Sequence, residues 1–313
     1  TFDPSRKPAS DYMGEDPSEG GFVYEERGMY ENVEVYDIAS MHPTSIVQLN
    51  AFGQYTPNFK DLLDARIAIK RGNFEEARGM LHGKLTPYLK DETAADQLAY
   101  ALKIVINIVY GLTSAKFDNP FRDMRNKDNI VAKRGALFMI KLKNEVQQRG
   151  GQVVHIKTDS IKVVNPTAEL KQFIWDFGAK YGYEFEHEAT YDKFCLIDKA
   201  QYIARYGWAA KEKLIGKWDA TGAAFQHPYV YKTLFTGEPI EWDDLCETKS
   251  VTQGAMYLDF DTDTPMAVGK EGLKFVGKTG LFTPVLSNES DDGVVASSGG
   301  ALYRIKDDKH YKV

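Results

Sequence analysis

The stretch "VYDIASMHPTSIV", from Val35 to Val47, places a single aspartate at the end of an apolar run. The overlapping segment "VEVYDI" alternates in the manner of a half-buried β-strand. Burying an unpaired carboxylate is costly, so Asp37 at the tip of this strand needs a paired charge or a metal ion nearby. The group that pairs with Asp37 must therefore lie near the end of this strand, and its identity indicates which other segment packs there.

Helices are predicted after this strand. Residues 61–83 have a helical pattern that is broken near Gly72, and "DETAADQLAYALKIVINIVYG" predicts a second helix that ends at Gly111, so the two form a helical hairpin. Further helices are predicted at about residues 129–148 and 167–181. No internal repeat or low-complexity segment is present.

A β-hairpin offers Asp37 its partner. The segment "QVVHIKTDSIKVV" predicts two short strands around a tight turn at Thr158 and Asp159. Both aspartates can then lie at one edge of an antiparallel sheet, where carboxylate oxygens suit Mg²⁺. Two such ions about 3.5–4 Å apart stabilise phosphoryl transfer. Spacing alone also allows the plainer interpretation that both aspartates are turn or cap residues.

Composition narrows the classes of protein. The chain has 313 residues, 43% of them hydrophobic, and a net charge of −6. Residues 1–35 hold nine acids and three bases, whereas residues 116–143 hold eight bases and three aspartates, so a local nucleic-acid surface is compatible with the charge. No long apolar run or signal peptide is present, so no membrane partner is expected. Two cysteines without a C-x-x-C pattern, Cys195 and Cys246, fit a reducing cytoplasm.

Three motifs resemble those of family B DNA polymerases and occur in the family's order. "DIASMHPT" is similar to D-x-x-S-L-Y-P-S, "KIVINIVYG" to K-x-x-x-N-S-x-Y-G, and "HIKTDS" to Y-G-D-T-D-S. "EGGF" resembles the glycine-rich loop that precedes the first motif, and "DKAQY" resembles the primer-binding K-K-R-Y. The resemblance covers roughly residues 20–230, and phage-type polymerases are the most similar group.

The resemblance implies a role for each matching residue. The metal ligands would be Asp37, Asp159 and the carbonyl of Ile38, holding two Mg²⁺ ions with Mn²⁺ as a substitute. The catalytic residues would be Asp37, Asp159 and Lys103, the last as a proton donor to pyrophosphate. The nucleotide-binding residues would be Ser40, Met41, His42, Arg66, Lys70, Lys103, Asn107 and Tyr110. The DNA-binding residues would be Gly20, Gly21, Lys157, Lys199 and Tyr202.

The chain departs from the family pattern at several positions. Lys157 stands where the family has the first aspartate of D-T-D, Ala200 replaces a paired lysine, and His42 replaces a tyrosine that rejects ribonucleotides. An imidazole is smaller than a phenol, which implies weaker selectivity against ribonucleotides. Two alternatives are that neighbouring side chains exclude the 2′-OH instead, or that His42 only packs in the core. The segment "DFDTDT" (259–264) is a rival for the third motif, although Pro265 would interrupt the second strand of its hairpin.

The expected fold is α+β: a polymerase palm with an antiparallel ferredoxin-like sheet, short helical fingers and a β-rich C-terminal thumb-like region. The expected regions are an acidic lead-in with the glycine-rich loop (1–35), palm (36–55 and 116–230), fingers (56–115), and a thumb-like or partner-docking region (231–313). The residues ahead of Asp37 are too few for the family's 3′–5′ exonuclease, so synthesis without proofreading is expected.

The expected function is template-directed DNA synthesis on primer-template DNA from dNTPs, in the cytoplasm, or the host cytoplasm if a phage encodes the chain. A separate exonuclease or replication subunit is a candidate partner. Two alternatives remain open: a catalytically weak polymerase-like DNA-binding subunit, and a nucleotidyltransferase of the primase-polymerase type.

Overall fold

A computed structural model of the chain contains the strand predicted from "VEVYDI". The structure describes residues 11–17, 21–113, 115, 117–122 and 129–250, together with the strands 256–259, 273–277, 279–284, 302–306 and 309–312. The chain divides into two compact units, Thr1–Lys199 with Ala204–Lys217, and Ala200–Ile203 with Trp218–Val313. The predicted boundaries of palm, fingers and thumb-like region stay a prediction.

The first unit contains three strands, then five α-helices, then strands on both sides of a sixth α-helix, among the described residues. Its strands are β1 (Val23–Glu25), β2 (Gly28–Tyr30), β3 (Val33–Ile38), β4 (Gln152–Lys157), β5 (Ser160–Val164) and β6 (Phe185–Asp198), followed by β7 (Gln201–Ala209), whose first residues are assigned to the second unit. Its helices are α1 (Met41–Gln48), α2 (Thr56–Lys70), α3 (Phe74–Gly79), α4 (Glu92–Leu112), α5 (Ile130–Gln148) and α6 (Ala168–Lys180).

The strands form a sheet in the order β1-β4-β5-β3-β6-β7, and β2 pairs with part of β6. Strand β3 lies between β5 and β6 and is antiparallel to both. Its inner position explains why Val33, Val35, Tyr36 and Ile38 are all buried. An antiparallel sheet with helices outside it is compatible with the predicted α+β class.

One face of the sheet packs on α5 and α6. Alternate residues of β5, Ile161 and Val163, join Tyr36 and residues of both helices in one hydrophobic core. Because side chains alternate along a strand, the residues between them, Ser160 and Lys162, lie on the other face. Asp37 pairs with Ser160 in the sheet and shares that face.

The helices α2 and α4 pack around two smaller apolar clusters. The break predicted near Gly72 is confirmed, because α2 ends at Lys70 and Gly72 has a φ of 74°. Helix α4 begins with an N-cap, in which the Asp91 side chain accepts from the N–H of Ala94 at 2.8 Å. It ends at Leu112, one residue after the predicted Gly111.

The second unit contains β8 (Trp218–Thr221), α7 (Pro228–Tyr231) and six further strands. Those strands are β9 (Glu247–Ser250), β10 (Met256–Asp259), β11 (Leu273–Gly277), β12 (Thr279–Pro284), β13 (Leu302–Lys306) and β14 (Lys309–Lys312). They form a two-stranded sheet, β10-β11, and a four-stranded sheet, β14-β13-β12-β9. The mostly β character predicted after Thr233 is confirmed in the described part of this unit. Most of the rival motif at 259–264 lies outside the described residues.

The described helices contain no segment long and apolar enough to span a membrane.

Candidate active site

The two predicted carboxylates meet at one edge of the sheet. Asp37 is the last but one residue of β3 and pairs with Ser160 at the start of β5. Asp159 occupies the turn just before Ser160, and its carbonyl oxygen accepts from the N–H of Ile38 at 2.9 Å. The hairpin therefore brings the two residues together as the sequence predicts.

The turn that carries Asp159 is held by the glycine-rich segment. Thr158 has a φ of 58°, in the left-handed region, and its N–H donates to the carbonyl oxygen of Phe22 at 2.9 Å. Gly21 has a φ of 124°, and a Cβ there would lie 2.8 Å from Oγ1 of Thr158. Only glycine permits this approach without a shift of the turn. Gly20, the other predicted DNA-binding glycine, lies outside the described residues.

Negative charge is concentrated around Asp37. Burial, followed by the charge of Asp159, raises the pKa of Asp37 to about 7, and Glu188 and Glu186 add to the effect while Lys70 opposes it. Burial is also the largest cause that raises the pKa of Asp159. Two partly desolvated carboxylates that repel each other create a site that favours a cation.

A metal ion would need ligands besides protein carboxylates at this site. No group of three or more His, Cys, Asp or Glu side chains that could hold a metal occurs in the described part of the chain. Mg²⁺ is commonly bound by only one or two carboxylates, with waters and substrate phosphates completing its coordination. The pair Asp37 and Asp159, with the nearby backbone of Ile38, fits that kind of site.

Helix α1 starts beside the carboxylates. Ser40 precedes it in the left-handed conformation, with a φ of 57°, and its side chain caps no helical N–H. The N–H groups of the first helical turn have no partner within the helix, and they favour anions. Arg66, from α2, donates through Nη1 to Oγ of Ser40 at 3.1 Å, so a guanidinium lies at this helix end.

All the predicted metal-binding, catalytic and nucleotide-binding residues line one cleft of about 550 Å³. Besides the carboxylates and the start of α1, the cleft takes residues from one face of α4 and from α2: Lys103, Asn107, Tyr110, Arg66 and Lys70. The i, i+4, i+7 spacing of the α4 residues explains their shared face. Among the described residues, none of the three cations Arg66, Lys70 and Lys103 lies within 4.0 Å of a carboxylate. Their charges are therefore available to an anionic ligand.

His42 and Tyr110 form one side of the cleft. Their rings are stacked, with centroids 5.4 Å apart and planes inclined by 7°. The Tyr110 hydroxyl donates to Oδ1 of Asn129 at 3.2 Å, which anchors its ring. Burial lowers the pKa of His42, while the charge of Asp159 opposes that shift. Nδ1 of His42 is buried and has no hydrogen-bond partner within the described residues.

Two charged residues of the site, Lys162 and Glu186, are not among those predicted from the sequence. Lys162 is buried on the same sheet face as Asp37, and burial lowers its pKa to about 8, against the charges of Glu188, Asp37 and Asp159. Glu186 lies directly opposite Asp37 in β6 and lines the cleft. The alternation of "SIKVV" could have placed Lys162 on this face, whereas the register of β6 could not be read from the sequence.

Those predicted DNA-binding residues that the structure describes do not line this cleft. Lys157 is exposed at the end of β4, and Lys199 is exposed in the turn between β6 and β7. The carbonyl oxygen of Lys199 accepts from Nε2 of His155 at 3.0 Å, which ties this turn to β4. Tyr202 is half-buried and is assigned to the second unit. Their contacts with DNA stay a prediction.

No protein-family model matches the chain. No curated protein matches it either. Among solved structures, the chain is similar to the family B DNA polymerase from the hyperthermophilic archaeon Pyrobaculum calidifontis, with a TM-score of 0.48 and 15% sequence identity. The match covers 90% of this chain and 43% of that polymerase, so the chain spans less than half of its length.

Proposed function

We propose that the chain is a nucleotidyltransferase that extends a DNA primer with dNTPs under the direction of a template. The observation that carries the proposal is the cleft in which Asp37 and Asp159 face the cations Arg66, Lys70 and Lys103. A nucleoside triphosphate requires two kinds of group: carboxylates that can hold a divalent metal ion, and cations that can bind its phosphates. The three cations here have no carboxylate partner among the described residues. The three motifs that resemble family B polymerases agree with this choice of substrate.

In this proposal the carboxylates of Asp37 and Asp159 and the carbonyl of Ile38 hold two Mg²⁺ ions, with Mn²⁺ as a substitute. When bound, the ions supply positive charge at the attacking and leaving oxygens of the phosphoryl transfer. The raised pKa of Asp37, about 7, supports this assignment, because a nearby cation would relieve the repulsion between the two carboxylates. The carboxylates also orient the reacting oxygens, and positioning provides much of the rate in such reactions.

The triphosphate is held from two sides. The first-turn N–H groups after Ser40, including that of Met41, donate to phosphate oxygens at one side. Arg66, Lys70 and Lys103 approach from α2 and α4 at the other, and Lys103 protonates the leaving pyrophosphate. The sugar and base lie toward His42, Asn107 and Tyr110, whose side chains complete the cleft.

In this proposal the primer-template duplex is bound by the residues at the positions that resemble the family's DNA-binding segments. Lys157 and Lys199 contact its phosphates, and Tyr202 and the glycine-rich loop with Gly20 and Gly21 position the primer. Such phosphate contacts contribute affinity that falls as salt concentration rises.

A template-swap experiment tests the proposal. A labelled primer is annealed to four templates that differ only in the first unpaired base, and each dNTP is supplied singly with Mg²⁺. We expect extension by the complementary nucleotide on each template and none with EDTA. Addition of the same nucleotide on all four templates would point to a template-independent transferase. Binding of the DNA without any addition would make the chain a non-enzymatic DNA-binding subunit.

A further inference from the structure

A second cavity, of about 490 Å³, lies along helix α5 and shares no lining residue with the candidate active site. Six of its residues come from one stripe of α5 with the spacing i, i+3, i+4, i+7, i+8 and i+11. They are Ile130, Lys133, Arg134, Leu137, Phe138 and Lys141. Tyr181 and Tyr183, which follow α6, form the facing wall. We refer to this cavity as the α5 groove.

The floor of the α5 groove is apolar and closely packed. Phe138 is buried, and its ring centroid lies 4.6 Å from that of Tyr183 and 5.6 Å from that of Tyr181. Leu137, one residue earlier, is 38% exposed at the same surface. A partly exposed leucine above a fixed aromatic floor forms a receptor for an apolar side chain.

The polar groups that line the α5 groove are cations and tyrosine hydroxyls, in a chain whose net charge is −6. Lys133, Arg134 and Lys141 make no ion pair with a carboxylate among the residues that the structure describes. Lys141 donates instead to the Tyr181 hydroxyl at 2.9 Å. The groove therefore presents cations that form no direct ion pair with a carboxylate of the described residues, while the charge of Glu145 acts on Lys141 from beyond ion-pair distance.

Arg134 is fixed by two contacts, and one of its guanidinium nitrogens has no hydrogen-bond partner among the described residues. Its Nη2 donates to the carbonyl oxygen of Tyr181 at 2.8 Å, and its guanidinium lies 4.7 Å from the ring centroid of Tyr183. Its Nη1 is buried and has no hydrogen-bond partner within the described part of the chain. A buried charged donor without a partner is costly, so an acceptor supplied by a ligand would stabilise it.

We propose that the α5 groove docks a short acidic peptide segment of a partner protein, with one aromatic or leucine side chain over Phe138 and carboxylates on both sides of it. The cations lie on both sides of Leu137 and Phe138 along the stripe, Lys133 and Arg134 before them and Lys141 after them. The rise from Ile130 to Lys141 is about 16 Å, which matches about five residues of extended peptide.

A peptide fits this groove better than a nucleic acid does. Single-stranded nucleic acids bind mainly by stacking bases on accessible aromatic faces. Phe138 and Tyr183 are buried, and their rings are engaged with each other and with Tyr181. The groove therefore offers depth for a side chain and charge for carboxylates, whereas the aromatic rings of its floor are already packed against one another.

Fluorescence anisotropy with a labelled pentapeptide, phenylalanine flanked by two aspartates on each side, tests the proposal. We expect saturable binding that is at least about tenfold weaker when asparagines replace the aspartates or serine replaces the phenylalanine. Leu137→Glu should weaken binding by a similar factor, because it places a carboxylate at the apolar floor. A double variant with Lys133→Glu and Lys141→Glu should weaken binding by a similar factor. Both lysines are partly exposed, so their substitution should not disturb folding. Lys211→Glu, an exposed lysine outside the groove, is the matched control and should leave binding unchanged.

Equal binding of the neutral and acidic peptides, or binding unchanged in the Lys133→Glu and Lys141→Glu variant, would overturn the proposal. Failure of the acidic peptide to bind the wild-type chain at millimolar concentration would do so as well. If Leu137→Glu weakened the binding of a labelled oligothymidylate and left peptide binding unchanged, the groove would be assigned to nucleic acid. Peptide binding is measured without primer, template or dNTP, so its outcome is distinguishable from that of the proposed polymerase function.

Discussion

The imidazole of His42 lies parallel to the phenol ring of Tyr110, with ring centroids 5.4 Å apart. His42 is in the first turn of α1 and Tyr110 is near the end of α4, so the pair joins the element that follows Asp37 to the helix that carries Lys103. Burial lowers the pKa of His42 and so favours the neutral ring, while the charge of Asp159 opposes this effect. A neutral ring with a buried Nδ1 that lacks a partner among the described residues can interact with a sugar hydroxyl.

The first prediction is that His42→Tyr increases discrimination against ribonucleotides. A larger ring that crowds the 2′-OH should raise the ratio of kcat/KM for dCTP to that for CTP by about 10–200-fold, the range that a group of this size contributes in a pocket. Both substrates are measured on one template, and His42→Ala serves as the opposite control, with a lower ratio than the wild-type chain. An unchanged ratio in the tyrosine variant would place His42 away from the sugar.

The second prediction concerns the cations of the cleft. Arg66→Ala and Lys103→Ala should raise KM for dNTP or lower kcat, because the positive charge that faces the triphosphate is lost. DNA affinity should change little, since neither side chain contacts the duplex in this account. Lys60→Ala is the matched control on α2, where Lys60 pairs with Asp64 instead of lining the cleft. An equal loss of DNA binding in the Arg66 and Lys103 variants would make these residues part of a DNA-docking surface.

The third prediction concerns the glycine that supports the turn with Asp159. Gly21→Ala should lower the free energy of unfolding by about 1–3 kcal/mol, because the new Cβ meets Thr158 and the φ of 124° is unfavourable for alanine. Incorporation should also slow, since the turn must shift. Gly79→Ala, which meets no atom within 4 Å and has an ordinary φ, is the control and should not destabilise the chain.

A second substitution separates the contact with Thr158 from the unfavourable φ of residue 21 as causes of the destabilisation. Thr158→Gly removes the colliding side chain at a position whose φ of 58° suits glycine, so it should partly restore stability in the Gly21→Ala background. Urea denaturation measures each variant. If the double variant is as unstable as the sum of the single ones, the contact between Gly21 and Thr158 does not determine the turn.

The fourth prediction is a loss of stability in mild acid through His155. Burial, followed by the charge of Lys162, lowers the pKa of His155 to about 4 from 6.5. Between these pH values the unfolded chain binds a proton at this residue and the folded chain does not, so stability falls as pH falls through the window, by up to about 3 kcal/mol. His155→Gln, which keeps a donor for the carbonyl of Lys199, should show a smaller decline between pH 6.5 and 4 in the same denaturation experiment. Parallel curves for the two proteins would exclude His155 as the cause.

Local patterns were sufficient to predict the elements that carry the site. The alternation of "VEVYDI", the turn at Thr158 and Asp159, and the helical spacing from Lys103 to Tyr110 each depend on neighbouring residues only. The strands β1 and β2 are not predicted from the sequence, because they lie in the region 1–35 that is expected to be an acidic lead-in. Each has three residues and is defined by its pairing with β4 or β6, far along the chain.

The missed site residues have the same physical origin. Glu186 faces Asp37 only because β6 pairs with β3 in one register, which shifts by a bulge between Val35 and Tyr36. A different register would turn the side chains of β6 to the other face. The contact between Arg66 and Ser40 likewise depends on how α2 packs against α1. The two residues are 26 positions apart, so no local sequence pattern predicts the contact.

Single-turnover incorporation by Asp37→Asn and Asp159→Asn variants tests whether these two carboxylates hold the metal ions, with Asp263→Asn from the rival motif as the control. If Asp37 and Asp159 hold the metal ions, each of their variants should incorporate a complementary dNTP at least about 10²–10³-fold more slowly than the wild-type chain. Binding of primer-template DNA, measured by anisotropy, should remain nearly unchanged, and Asp263→Asn should behave as wild type. Incorporation at the wild-type rate by Asp159→Asn, or its loss in Asp263→Asn, would contradict the account.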